Sequence, residues 1–146
     1  MIKLLSILKE VLSPTQQYHD AVELIKQQGG KFLGSGDYGA VFLVGDKVKK
    51  VTTDSEELQD AQKIKGLNTK YFVHIYDVQV INDSLGIITM DNLKPYTADP
   101  REVPIDKIYD EADQYDIYPD LEGPGGSVKM DNVMQDANGN VKIIDV

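Results

Sequence analysis

The chain has no cysteine and no tryptophan. Without thiols there is no disulfide framework, no thiolate metal site and no cysteine nucleophile, a pattern that fits a cytosolic protein. An excess of positive charge is lacking too, since 15 Lys and Arg stand against 24 Asp and Glu for a net charge of −9. That balance argues against nucleic acid or an anionic membrane as partner, because both reward clustered Lys and Arg. Long apolar runs are also missing. The opening Met1 to Leu8 is cut by Lys9 and Glu10 and has no small-residue cleavage site, so it reads as neither a signal peptide nor a membrane span. At 146 residues, 41% of them apolar, the chain can bury one good core and not two.

Two amphipathic helices are expected first. Ile2, Leu4, Leu5, Ile7, Leu8, Val11 and Leu12 crowd one side of a short helix. Ser13 then caps a second, with Pro14 in its first turn, a stripe of Tyr18, Ala21, Val22, Leu24 and Ile25, and Gly29-Gly30 as its stop. Their expected role is to pack across the back of a small sheet. From Lys31 the period becomes that of strands: Lys31 to Leu33, Ala40 to Val44 and Lys47 to Thr52, with a tight turn at Gly45-Asp46. Asp54 or Ser55 caps a helix that turns Leu58, Ala61, Ile64 and Leu67 inward. Phe72 to Ile81 and Leu85 to Met90 are two more strands. Residues 94–126 are weakly patterned, with five prolines, one helix near Ile105 to Tyr115 and a turn at Gly123 to Gly126. A hairpin of Val133-Met134 and Val141 to Ile144, turning at Asn138-Gly139, comes last.

Gly34-Ser35-Gly36-Asp-Tyr-Gly39 joins two strands, so backbone N–H groups there can approach an anion without Cβ clashes. A strand–loop–strand setting separates it from dinucleotide loops, which lead into a helix. Val41 follows, and Val48-Lys49-Lys50 places Lys50 on the same strand face as Val48. Met90-Asp91-Asn92-Leu93 ends a strand, and Lys129-Met-Asp-Asn132 precedes Asp145 by 13 residues counted from Asn132. In this order the segments resemble the glycine loop, third-strand lysine, hinge, catalytic loop and metal-binding strand of the protein-kinase superfamily.

That resemblance implies an α+β fold: a kinase-like N-lobe of antiparallel sheet and helix over residues 31–93, two N-terminal helices as an extension over 1–30, and a strongly reduced C-lobe over 94–146. It implies ATP and Mg²⁺, with Gly34, Ser35, Gly36, Gly39 and Val41 over the nucleotide and Lys50 on its phosphates. Met90 would be the gatekeeper, and the backbone of Asp91 and Leu93 would face adenine. Lys129 would steady the γ-phosphate, and Asn132 and Asp145 would hold metal. The acid that pairs with Lys50 is Glu57 by reach or Asp60 by spacing; both fall on the inward helix face. His74 reads as a structural histidine and His19 as solvent-facing, while Ser35 is open to self-modification.

The resemblance also has gaps. Five residues before Asn132, where the family carries the Asp that takes the substrate proton, this chain has Ser127. A serine cannot be that base near neutral pH. Asp116 and Asp120 lie upstream and could reach in across the glycine-rich turn. Asp145-Val146 stands in place of Asp-Phe-Gly, and no peptide-binding platform is expected. Two functions therefore stay open: a minimal ATP-binding phosphotransferase or pseudokinase, and a non-enzymatic scaffold whose acidic segment at residues 101–122 engages a basic protein. That segment holds eight carboxylates against Arg101 and Lys107.

Overall fold

The computed structural model describes residues 14–36 and 39–144. The predicted first helix, Ser13, the loop tip at Asp37 and Tyr38, and Asp145 lie outside the described residues. α1 (Pro14–Gln27) starts on proline, whose missing N–H costs nothing in a first turn. It stops where the Gly30 N–H closes on the Ile25 carbonyl at 3.0 Å. β1 (Lys31–Gly36), β2 (Gly39–Val44) and β3 (Lys47–Thr52) follow. β1 runs past the predicted end at Leu33 because Gly34, Ser35 and Gly36 pair with Val41, Ala40 and Gly39. The first part of the glycine loop is therefore sheet.

α2 (Ser55–Ile64) is capped by Asp54, whose Oδ1 accepts from the Glu56 and Glu57 N–H groups at 3.0 and 3.3 Å. Leu67, expected inward, instead lies beyond the helix and is exposed, because the chain turns away at Gly66 with φ +76°. β4 (Ile75–Asn82) begins later than predicted, and β5 (Leu85–Asp91) completes an antiparallel sheet of order β1-β2-β3-β5-β4. Phe72 and Val73 leave β4 for a different pairing, with the Val73 N–H on the Ile143 carbonyl at 2.9 Å.

Both faces of this sheet are covered, which explains why Leu85 to Ile88 are all buried. Ala40, Phe42, Val51, Leu85 and Ile87 pack under Ala21 and Ile25 of α1. Val48, Ile88 and Met90 point the other way, onto Leu58, Ala61 and Ile64 of α2. The same cluster continues into the second half of the chain through Ile108, Ala112, Val133 and Ile143. There α3 (Ile105–Tyr115) accompanies a small sheet of β6 (Lys94–Pro95), β7 (Val133–Gln135) and β8 (Val141–Ile143) in that order. Ile25 and Ile108 are 1% and 0% exposed, so cutting either to Ala should cost about 2–5 kcal/mol.

Candidate functional site

A cavity of about 710 Å³ opens between the two sheets. Leu33, Val41 and Val48 line it from the first sheet, Met134 from the second with Ile144 just past its last strand, and Met90 to Leu93 along the connection. Gly34, Ser35, Gly36 and Lys50 reach it too, with Asp131 and Asn132 on the far side. Its walls are mostly apolar, with polar groups contributed by Ser35, Lys50, Asp91, Asn92, Asp131 and Asn132. Sequence reading missed Leu33, Met134 and Ile144 as lining residues, since only the approach of the second sheet turns them into a wall. Alternation along their strands was the one available signal.

Lys50 Nζ donates to Glu57 Oε2 at 2.6 Å. Glu57 is 4% exposed, and its other oxygen, Oε1, has no hydrogen-bond partner among the described residues. A buried carboxylate is tolerable only beside a cation and donors, so this corner is built around the lysine and remains able to accept another donor. The Asp54 cap contributes directly, because it binds the Glu57 N–H and so fixes the first helical turn. Asp60, the other sequence candidate for pairing with Lys50, is placed elsewhere. Its Oδ2 accepts the Tyr118 N–H at 3.1 Å, and its Oδ1 lies 3.4 Å from Lys63 Nζ.

The three glycines of the loop differ in what requires them. A Cβ on Gly39 would sit 1.8 Å from the Val51 carbonyl oxygen, so close strand packing alone demands glycine there. Gly34 and Gly36 have nothing within 4 Å of such an atom. On the connection, the Asp91 N–H is taken by the His74 carbonyl at 3.1 Å, and the Asp91 carboxylate accepts the Tyr76 hydroxyl, which raises the pKa of that phenol. His74 is half-buried, stacked edge-on to Tyr76 with ring centroids 4.5 Å apart. His19 is exposed.

Around the catalytic-loop resemblance, separation along the chain differs from distance in the fold. Residues 122–128 close on themselves: Glu122 pairs with Val128, the Gly123 N–H meets the Ser127 carbonyl at 2.7 Å, and the Lys129 N–H meets the Leu121 carbonyl at 2.7 Å. Gly125 and Gly126 make the reversal at φ +70° and +76°, where a side chain would be strained. The hairpin thus brings its two ends together. Asp120 Oδ2 lies 2.7 Å from Lys129 Nζ, and Asn132 Nδ2 donates to the Asp120 carbonyl at 2.6 Å. Ser127, at the position counted for the base, is turned into its own loop, with Oγ on the Pro124 carbonyl at 2.8 Å.

The acidic segment is partly spent on internal bonds. Glu111 accepts the N–H groups of Lys70 and Tyr71 at 2.8 Å each. Asp116 holds Tyr118 and Lys63, and Asp120 holds Lys129. Among the described residues no cluster of three or more His, Cys, Asp or Glu could hold a metal alone, and no helix is long and apolar enough to cross a membrane.

The fold is α+β and kinase-like, an N-lobe sheet and helix joined to a reduced C-lobe. The kinase domain of PknI from Mycobacterium tuberculosis is similar to it, with a TM-score of 0.53 at 18% identity over 79% of this chain and 57% of that one. The kinase PK-1 of Cydia pomonella granulovirus gives 0.51 at 14% identity over 86% and 57%. The chain thus spans a little over half the length of these kinase chains. No family model matches the sequence, and no curated protein is similar to it at the sequence level.

Proposed function

We propose that the chain is an ATP- and Mg²⁺-dependent phosphotransferase of protein-kinase type, with Asp120 as its base. The observation that carries this reading is the Asp120–Lys129 pair, formed across the closed hairpin and tied to Asn132. The cavity fits the ligand class. Its apolar walls suit a purine, and Leu93 and the Asp91 carbonyl supply backbone groups at the rim. Asp91 would contribute only its carbonyl there, since its N–H is engaged. Lys50 and those backbone N–H groups of the glycine loop that the β1–β2 ladder leaves unpaired suit phosphates, while Asn132 and Asp145 carry oxygens of the kind Mg²⁺ prefers.

Bound ATP supplies the phosphoryl group, and its P–O bond to ADP breaks as a bond to the acceptor oxygen forms. Asp120 takes the proton of the acceptor hydroxyl, and Lys129 balances charge on the transferred group. Lys50 is held by Glu57, so its ammonium is positioned before substrate arrives. This arrangement favours an enzyme over a pseudokinase, because Asp120 supplies the carboxylate that Ser127 cannot.

The test is transfer of labelled γ-phosphate by the full chain with Mg²⁺, alongside melting with and without ATP. A binder should gain about 2.7 kcal/mol at a hundredfold ligand excess over its dissociation constant. Melting unmoved by millimolar ATP and Mg²⁺, in wild type as in Lys50→Ala, would overturn nucleotide binding. Binding without transfer would reduce the protein to a pseudokinase.

A further inference from the structure

We infer that Asp60 is a positioning residue that sets the base-bearing segment from helix α2; this rests on the phosphotransferase reading above. Residues 117–121 belong to no helix or strand, and in them Ile117, Pro119 and Leu121 are buried while Tyr118 and Asp120 are exposed. Such a stretch has no sheet partner along its length to fix how far it slides. Its anchors are specific. At one end the Lys129 N–H holds the Leu121 carbonyl at 2.7 Å. At the other, Asp60 Oδ2 holds the Tyr118 N–H at 3.1 Å, two residues before Asp120.

Lys63, one turn on from Asp60, reinforces the same contact. Its Nζ donates to the Asp116 carbonyl at 2.6 Å and lies 3.7 Å from the Asp116 carboxylate. Asp116 is the sole non-glycine residue at positive φ among the described residues, at φ 54° and ψ 47°, where α3 ends and the chain turns toward Tyr118. A helix C-terminal carbonyl is a natural target for a cation. Asp60 is 6% exposed, so its two bonds are made away from bulk water.

The consequence follows from helix geometry. Glu57 and Asp60 are three residues apart and share one face of α2. One rigid helix therefore holds Lys50 through Glu57 and the Asp120 segment through Asp60. The lysine and the base are set by the same body, and a shift of α2 moves both. Loss of the Asp60 contact removes the α2 anchor at Tyr118 and leaves the bonds of Asp120 and Leu121 to Asn132 and Lys129, so the segment loosens at one end, and Asp60 does not line the cavity.

The test uses purified full chain carrying Asp60→Ala, Asp60→Asn or Lys63→Met, with ATP turnover and the ATP-induced melting shift measured in parallel. Asp60→Ala should lower kcat by about tenfold or more, with KM for ATP and the melting shift within about twofold of wild type. Asp60→Asn keeps an oxygen for the Tyr118 N–H and should restore most of the rate. Lys63→Met, at an exposed site, should lower kcat by about threefold and keeps the proposal testable if Asp60→Ala fails to fold. Unchanged kcat in Asp60→Ala, or an equal loss in Asp60→Asn and Asp60→Ala, overturns the positioning role. So does a rise in KM matching that of Lys50→Ala. Wild-type protein with neither turnover nor an ATP-induced shift would instead sink the phosphotransferase reading itself.

Discussion

Asp120 and Lys129 are nine residues apart in sequence and 2.7 Å apart in space, because the intervening hairpin brings its ends together. If Asp120 is the base, Asp120→Asn should cut phosphoryl transfer by about 10²–10⁴-fold. The ATP-induced melting shift should survive, since Asp120 is not among the residues lining the cavity. Ser127→Ala should leave the rate near wild type, as its hydroxyl serves only the Pro124 carbonyl. Labelled-phosphate assays on the three proteins decide between the two positions.

The loop glycines should separate into structural and functional members. Gly39→Ala forces an atom against the Val51 carbonyl and should cost about 3 kcal/mol in urea unfolding. Gly34→Ala and Gly36→Ala meet open space and should leave stability within about 0.5 kcal/mol. Their effect should appear in ATP affinity, weaker by about tenfold. Equal destabilisation by all three would contradict this division.

Removing Lys50 alone leaves Glu57 buried and uncompensated, so Lys50→Met should destabilise by about 2–3 kcal/mol, less than a fully buried pair because the lysine is partly exposed. The double change Lys50→Met with Glu57→Leu should recover most of that stability. Nucleotide binding should not return. Denaturant melts and ATP titrations of the two variants provide the comparison, and recovery of binding in the double variant would remove Lys50 from the site.

Acid should loosen the β7–β8 turn. The Asn140 backbone N–H, followed by its side-chain amide, holds the Asp136 carboxyl below its ordinary range. The unfolded chain therefore takes up that proton first as pH falls. The contribution is complete above the ordinary carboxylate value and is lost from about pH 4 downward, through the lowered folded value. Protection of the Asn140 amide against exchange, measured by NMR relative to the intrinsic rate at each pH, should fall over that window, and Asp136→Ala should abolish that fall.

The N-lobe was legible because its rules are local. Alternation in Val48-Lys49-Lys50 and the Asp54 cap each report a strand or helix without reference to distant residues. Glu57 and Asp60 show where that logic stops. Both lie on the inward face of α2, and only the positions of Lys50 and Tyr118 separate them. The acidic segment was harder still. Glu111 reads as one charge in a run, yet it binds two backbone N–H groups about 40 residues away.

Sequence by itself determined the order of elements, the glycine loop and the lysine, since periodicity and residue type act within a turn or a strand. Tertiary structure alone decided which carboxylate stands beside Lys129. Counting residues assumes a contour of constant length, and the hairpin at residues 122–128 removes its own contour by pairing its ends. Distance in the fold, which sets the strength of an ion pair, then no longer follows distance along the chain.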